Sequence, residues 1–487
     1  MPIFIWKLNN CLIWRLAKMD FQKILPSVRP MRHYYFVMIR EFKIISLVLA
    51  NFAAGALAAF AAEASSKEAP SPDVSGPMHL SVEDVIERVK GQNLELLIQK
   101  ENVRRALEQA YQRRAELLPQ FGLRAQQMRT QLGRGFAGAN TNSPPFNSFG
   151  SRIEGSLSLI DAERYADFRI AKLSHAIEQL DYEVAVQDLL DQAILLYFTQ
   201  LRDIRRIEIF QGNLEREQRL LDLAQQQFDA GVAVKIDVTR AEVRLATVKR
   251  SLMEAETAAD DSILQLKNLL DIDLNTEVVL DRSLVDGVKS PPALKRYGLM
   301  ADLTELRPEL QSQELQLDQA KLAKRAVTWQ RLPSLELFAD WGYDSNEAFD
   351  GEEGEAWMVG IEASIPIWEG GRIAAESREA RAAVRQNEYA TRQLRNEIER
   401  QFKFAMLDMD SRYAQIEIAR DEVRLGKDEV DQARERYNEG LADNRELIDA
   451  QQRLADAESS HLRAIYLYGL SRLSFARAIG SVERVLE

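Results

Sequence analysis

No proline interrupts this chain between Pro145 and Pro291, and none follows Pro366. An interior proline removes a helical hydrogen bond and clashes with the preceding turn, so both tracts are open to very long helices. Each tract carries one pattern near its middle. The first reads Gln227-Phe228-Asp229-Ala230-Gly231, then Asp237-Val238, Ala241 and Leu245. The second reads Arg436-Tyr437-Asn438-Glu439-Gly440, then Glu446-Leu447, Ala450 and Leu454. An aromatic, a glycine, an acid and an alanine recur at the same spacing, so the chain is duplicated.

Composition removes several classes of function. With 63 basic and 75 acidic side chains and a net charge of −12, the chain lacks the basic excess that phosphate neutralisation needs, and no nucleic acid is expected. Cys11 is the only cysteine, which excludes cysteine-based zinc sites and thiol catalysis from the rest of the chain. His33, His79, His175 and His461 are scattered without ligand spacing. No metal or other cofactor is expected, and nothing suggests an enzyme.

Arg40 and Lys43 followed by the apolar run Ile44 to Ala59 and by Ala59-Phe60-Ala61 read as a secretory signal. The expected order is a doubtful extension (1–37), a signal peptide (38–61) and an Ala/Ser/Pro-rich linker (62–78). Repeat 1 covers 79–286, a connector 287–301, repeat 2 302–480 and a tail 481–487. No cysteine follows the apolar run, so no lipid anchor is expected there.

Within repeat 1 a helix is expected from Ser81, with Asp84 as a shortened capping box, to Leu118, ending at Pro119. Two alternating strands follow; in the second, Ile153, Gly155, Leu157 and Leu159 share one face and Arg152, Glu154, Ser156 and Ser158 the other. From Asp161 to Ala230 the chain turns helical. Ile170, Leu173, Ile177, Leu180 and Val184 step like a coiled-coil seam, which slips and resumes at Leu190, Ile194, Tyr197, Leu201 and Ile204. Gly231 is the expected cap and Val238 to Leu270 the return helix. Repeat 2 retraces this order. A helix runs from Arg307-Pro308-Glu309-Leu310 to Leu332-Pro333, followed by alternating strands around Leu335–Tyr343 and Trp357–Ile365, and then by a second long helix. Pro333 lies 214 residues after Pro119, and Gly440 209 after Gly231.

The strands have the length and alternation of transmembrane β-strands, and Trp341, Tyr343 and Trp357 flank one loop as an interfacial girdle would. Four strands cannot close a barrel, and open edges cannot face lipid. If these strands span a membrane, protomers must share one barrel. Two give eight strands and a filled interior; three give twelve, enough for a pore. The expected fold is mainly α with a small β part, a duplicated unit dominated by very long coiled-coil helices.

The repeated aromatic-Gly-acid-Ala signature, both proline-terminated leading helices, Arg307-Pro308-Glu309-Leu310 and Ile365-Pro366-Ile367-Trp368-Glu369-Gly370-Gly371 closely resemble the TolC-like outer-membrane efflux family, over about Leu80 to Gly480. The resemblance implies a homotrimer in outer-membrane lipid, with a twelve-stranded barrel continuing into a periplasmic α-barrel. A periplasmic adaptor (membrane fusion protein) and an inner-membrane transporter would be its partners, and drugs or unfolded proteins its cargo. It also implies that Gly231, Val232, Gly440 and Leu441 form adaptor-docking tips, and that Glu446, Asp449, Asp237 and Tyr437 belong to a periplasmic gate. Glu446 and Asp449 match positions that project an acidic ring into the entrance, although an acidic pair one turn apart is also an ordinary solvated helix face. A basic residue that some members carry two positions after the second tip glycine is Ala442 here, so no specific latch is carried over.

Gly133-Arg134-Gly135-Phe136-Ala137-Gly138 fits a dinucleotide-loop pattern literally, but Asn-Thr-Asn-Ser-Pro-Pro follows where a helix is required, and it reads as an extracellular loop. The rival reading is a periplasmic coiled-coil adaptor or structural protein with a small soluble sheet.

Overall fold

The computed structural model describes residues 77–131, 144–231, 233–282, 307–346, 354–439, 441 and 444–483. The expected extension, signal peptide and connector, the linker up to residue 76 and the Gly133–Gly138 run lie outside these residues.

The two repeats match almost residue for residue in helix length. In repeat 1, α1 (Val82–Gln92) and the 22-residue α2 (Leu94–Ala115) precede strands β2 (Gln120–Thr130) and β3 (Phe146–Ile160). The 68-residue α3 (Ala162–Asp229) and 35-residue α4 (Lys235–Leu269) follow. In repeat 2, the 22-residue α5 (Pro308–Trp329) leads to β5 (Ser334–Ser345) and β6 (Gly354–Ser364), then to α6 (Arg372–Asn438, 67 residues) and α7 (Asn444–Ala478, 35 residues). At 1.5 Å per residue, α3 and α6 each extend about 100 Å.

Local chemistry sets the helix starts. Ser81 and Asp84 form a full reciprocal capping box on α1. Asp161 accepts from the Glu163 and Arg164 amides, both at 3.0 Å, to start α3, and Pro308 occupies the first turn of α5. The single helix expected from Ser81 to Leu118 is two. Asn93 caps α2 by accepting from the Leu96 amide at 3.1 Å, while its side-chain amide donates to Leu269 O at 2.8 Å and ties this break to the end of α4. Met78, assigned to the linker by composition, begins strand β1 (Met78–Leu80), which pairs in parallel with β4 (Val278–Leu280).

Strands β2, β3, β5 and β6 form one antiparallel sheet in that order. Leu123, Ile153, Trp341 and Trp357 line up across all four strands in register, and all four are exposed. On the opposite face Arg152 reaches Asp340 at 2.9 Å and Asp344 at 2.6 Å, and Arg124 reaches Glu154 at 3.2 Å. The two faces differ in polarity as the alternation requires.

Beside the sheet the helices repeat the strand order, α2–α3–α5–α6; farther from it the order is α4–α3–α7–α6. Between the two stretches lies the main core. Val82, Val85 and Val89 pack with Leu190, Ile194, Tyr197, Leu266 and Leu280 there, and the Tyr197 hydroxyl reaches Asp281 O at 2.7 Å and Leu80 O at 3.2 Å, bridging β1 and β4. Burial, and Asp281 after it, push the Tyr197 pKa up. Leu190, Ile194, Tyr197 and Leu201 are buried here, whereas Ile170, Leu173, Leu180 and Val184 stay half-buried. The slip in the seam marks where α3 enters this core. Arg307-Pro308-Glu309-Leu310 sits at the same level. Arg307 donates to Gln401 of α6 at 3.0 Å and lies 3.4 Å from Glu309, and Glu309 pairs at 2.7 Å with Arg477 of α7, which also holds Asp188 of α3 at 2.6 Å. One motif thus ties four helices.

Candidate functional site at the helical tips

The duplicated signature builds two helix–turn–helix tips. At the first, the Gly231 amide donates to Phe228 O at 3.0 Å and that of Ala233 to Gln227 O at 3.1 Å. Gly231 itself has φ +75°, a left-handed conformation that costs a Cβ-bearing residue about 1–2 kcal/mol. At the second, the Leu441 amide donates to Arg436 O at 2.8 Å, the outer bond of a Schellman cap. Val232 and Gly440 lie outside the described residues. Leu441 is exposed, and so are Val234 and Ile236, apolar tip residues that sequence reasoning did not single out. The available signal was an apolar N-cap, Val234, which offers no side-chain hydrogen bond.

The recurring aromatic and alanine pack across each turn. Phe228 meets Val238 and Ala241 beside Ala224, with the Lys235 ammonium 5.7 Å above its ring. Tyr437 is buried among Leu220, Val430, Ala433, Leu447, Ala450 and Leu454. The recurring acids stand in the first turn of the return helices, Asp237 in α4 and Glu446 in α7, where a negative charge favours the helix dipole by about 0.3–1 kcal/mol.

Electrostatics divides the gate candidates into two groups. Tyr437 belongs to repeat 2 and Asp237 to repeat 1, yet they are neighbours. Burial first and the Asp237 carboxylate second push the Tyr437 pKa up. The Tyr437 hydroxyl is buried without a hydrogen-bond partner, while Asp237 pairs with Arg240 at 3.2 Å. Glu446 spans the second tip to Arg436 at 3.0 Å, a partner that the sequence offered only as one basic residue among many. Asp449, one turn farther along α7, is exposed. Its charge acts on Arg453, which holds Glu429 of α6 through two bonds of 3.0 and 2.6 Å.

Among the described residues no group of three His, Cys, Asp or Glu side chains has metal-binding geometry. No described helix is long and apolar enough to cross a membrane, which says nothing of the β-sheet.

Comparison with known proteins agrees with this architecture. The family described as outer membrane efflux protein matches residues 85–271 and 299–481. The outer membrane protein TolC of Escherichia coli (strain K12) is 23% identical over 394 residues, 77% of each chain. The alkaline protease secretion protein AprF of Pseudomonas aeruginosa is 23% identical over 339 residues, 68% of this chain and 69% of that one. The crystal structure of the Campylobacter jejuni CmeC outer membrane channel superposes with a TM-score of 0.71 at 18% identity, covering 82% of this chain and 85% of that one. The two matched segments coincide with the two structural repeats, and the chain belongs to the outer membrane efflux protein family.

Proposed function

We propose that this chain is the outer-membrane channel-tunnel of a three-part export assembly, acting as a homotrimer without covalent chemistry or a cofactor. Its family places it in the outer membrane and among transport proteins and removes the rival adaptor reading. The observation that carries the trimer is the pair of unsatisfied edges on one copy. Edge strand β2 holds Arg124 and Arg129 and no acid; edge strand β6 holds Glu355 and Glu362 and no base. Arg129 and Glu355 lie near the loop ends, Arg124 and Glu362 toward the helices. Because β2 and β6 run in opposite directions, joining β6 of one copy to β2 of the next continues the antiparallel ladder.

The helix edges agree. On α4, Ile236, Val243, Met253 and Leu264 are exposed; on α6, Phe404, Leu407, Ile418 and Leu425 are. The α6 spacing is that of a coiled-coil seam lacking its second helix. A head-to-tail ring satisfies both edges at once, and three copies give twelve strands. Ile365, Ile367, Trp368, Leu118 and Leu332, all exposed where strands meet helices, supply an apolar collar suited to the lipid boundary.

In this reading the tips at Gly231, Val232, Gly440 and Leu441, with Val234 and Ile236 beside them, receive a periplasmic adaptor that connects to an inner-membrane transporter. Glu446 and Asp449 form the acidic ring, and Asp237 and Tyr437 complete the gate where the two tips of one copy meet. The particle extracted by detergent from an outer-membrane fraction is expected to have the mass of three chains by light scattering; a monomer there refutes the shared barrel. Glu446→Ala combined with Asp449→Ala should bring the cation-to-anion permeability ratio in planar bilayers toward unity, because a ring of carboxylates in a narrow lumen favours cations. Unchanged selectivity and conductance remove both residues from the gate.

A further inference from the structure

The tips close the channel only if the hairpin α3–α4 and the hairpin α6–α7 keep a fixed relation, and their seam is α3 against α7. From the core toward the tips this seam holds Thr199 and Arg202 against Tyr466, then Arg216 against Glu458, then Leu220 against the Tyr437, Leu447 and Leu454 cluster. On α3 the positions Thr199, Arg202, Arg206, Ile209, Asn213, Arg216, Leu220 and Leu223 step by three and four residues, as a coiled-coil seam does. Its middle is polar. Polar residues at seam positions reduce stability and fix register.

The polar layer is built in detail. Arg216 donates to Glu458 of α7 at 2.7 Å and also bonds Asn213. Asn213 is buried, and Arg216 and Glu458 keep only about a fifth of their side-chain surface exposed (22% and 18%). Next to Arg216, Glu217 is 3% exposed and accepts from Arg244 of α4 at 3.2 Å. Its other carboxylate oxygen is buried without a partner. Burial pushes the Glu217 pKa up against the pull of Arg244 and Arg216. Adjacent residues of α3 therefore bind outward to both return helices, one in each hairpin.

We propose that Arg216, Glu458, Glu217 and Arg244 are positioning residues for the gate, a polar layer that locks the register of the two hairpins above the tips. Below it the seam relies on apolar contact at Leu220 and Leu223, which tolerates sliding. Above it the main core holds both hairpins. Release of the Arg216–Glu458 pair is then the step that frees the second tip to swing from the first, while the Glu217–Arg244 pair keeps the first hairpin rigid. This assignment rests on the channel reading above.

The test uses the full-length trimer. Arg216→Ala and Glu458→Ala are each expected to raise the mean conductance of the unassisted channel in planar bilayers by about tenfold, and the charge swap Arg216→Glu with Glu458→Arg to return it toward wild type. Wild-type conductance in both single variants, with the trimer intact, overturns the proposal. So does a swap that fails to restore it, since general loosening and not the pair would then be responsible. A second readout does not need conduction. Spin labels at Asp229→Cys and Glu439→Cys, with Cys11 replaced and labelled chains diluted among unlabelled ones, should report a longer tip-to-tip distance in Arg216→Ala. If wild-type particles do not conduct but the distance lengthens, the channel reading fails and the lock stands; if they conduct and the distance is unchanged, the lock fails alone.

Discussion

Gly342→Val is expected to leave the outer-membrane fraction without assembled particle. Gly342 faces Arg152 across the β3–β5 ladder. A Cβ there would lie 2.0 Å from Ser151 O and 2.7 Å from Arg152 Cα, both backbone atoms. No rotamer change relieves such a contact. The β3–β5 ladder is also the one place where the two repeats join within the sheet, so disrupting it leaves two isolated hairpins, which are marginal on their own. Gly354→Val is the control, since a Cβ there meets only Asp344 O at an ordinary 3.7 Å. Immunoblots of unheated membrane samples should show the trimer band for Gly354→Val and none for Gly342→Val. An assembled Gly342→Val particle would mean that the strands do not pair in this register.

Arg307→Ala is expected to destabilise the helical part by about 3 kcal/mol, the typical cost of removing one partner from a buried charged network. Arg307 is 5% exposed. Its loss leaves the Gln401 carbonyl without its 3.0 Å donor and leaves Glu309 dependent on Arg477, which is shared with Asp188. Arg307→Lys should fall between wild type and alanine, because an ammonium cannot reach two acceptors with the fixed fork of a guanidinium. Thermal unfolding of the purified particle, followed by far-ultraviolet circular dichroism, checks the order of the three. Equal melting of wild type and Arg307→Ala would show that the motif contributes nothing to stability.

What was legible in the sequence was whatever depends on neighbours along the chain. Proline-free tracts, the glycine after Phe228 and the alternation around Trp341 report local backbone preference, and the helices, first tip and strands follow them. The break at Asn93 was not legible, because an asparagine on a polar helix face looks the same whether or not a distant carbonyl, here Leu269 O, awaits its amide. Strands β1 and β4 have three residues each, too few to show a period. At the tips, Asp237 and Glu446 were visible through their repetition. Their basic partners were not, since Arg436 and Arg240 are ordinary helix residues until the fold brings them close. The polar layer at Arg216 was hidden for the same reason, as arginine within a long charged helix reads as solvated.

The opposite charges on β2 and β6 bear on how the proposed ring would come into being. One copy alone carries two open sheet edges, the usual liability for uncontrolled strand addition. Edges of like charge discourage β2 from meeting β2, or β6 from meeting β6, so growth is confined to one polarity. That polarity does not stop itself: a head-to-tail contact extends until curvature brings the free ends together. If the ring is the proposed trimer, assembly is a race between closure within a three-copy intermediate, which does not depend on concentration, and capture of a fourth copy, which does. Slow delivery of the chain to the membrane favours closed rings, and overproduction favours open oligomers.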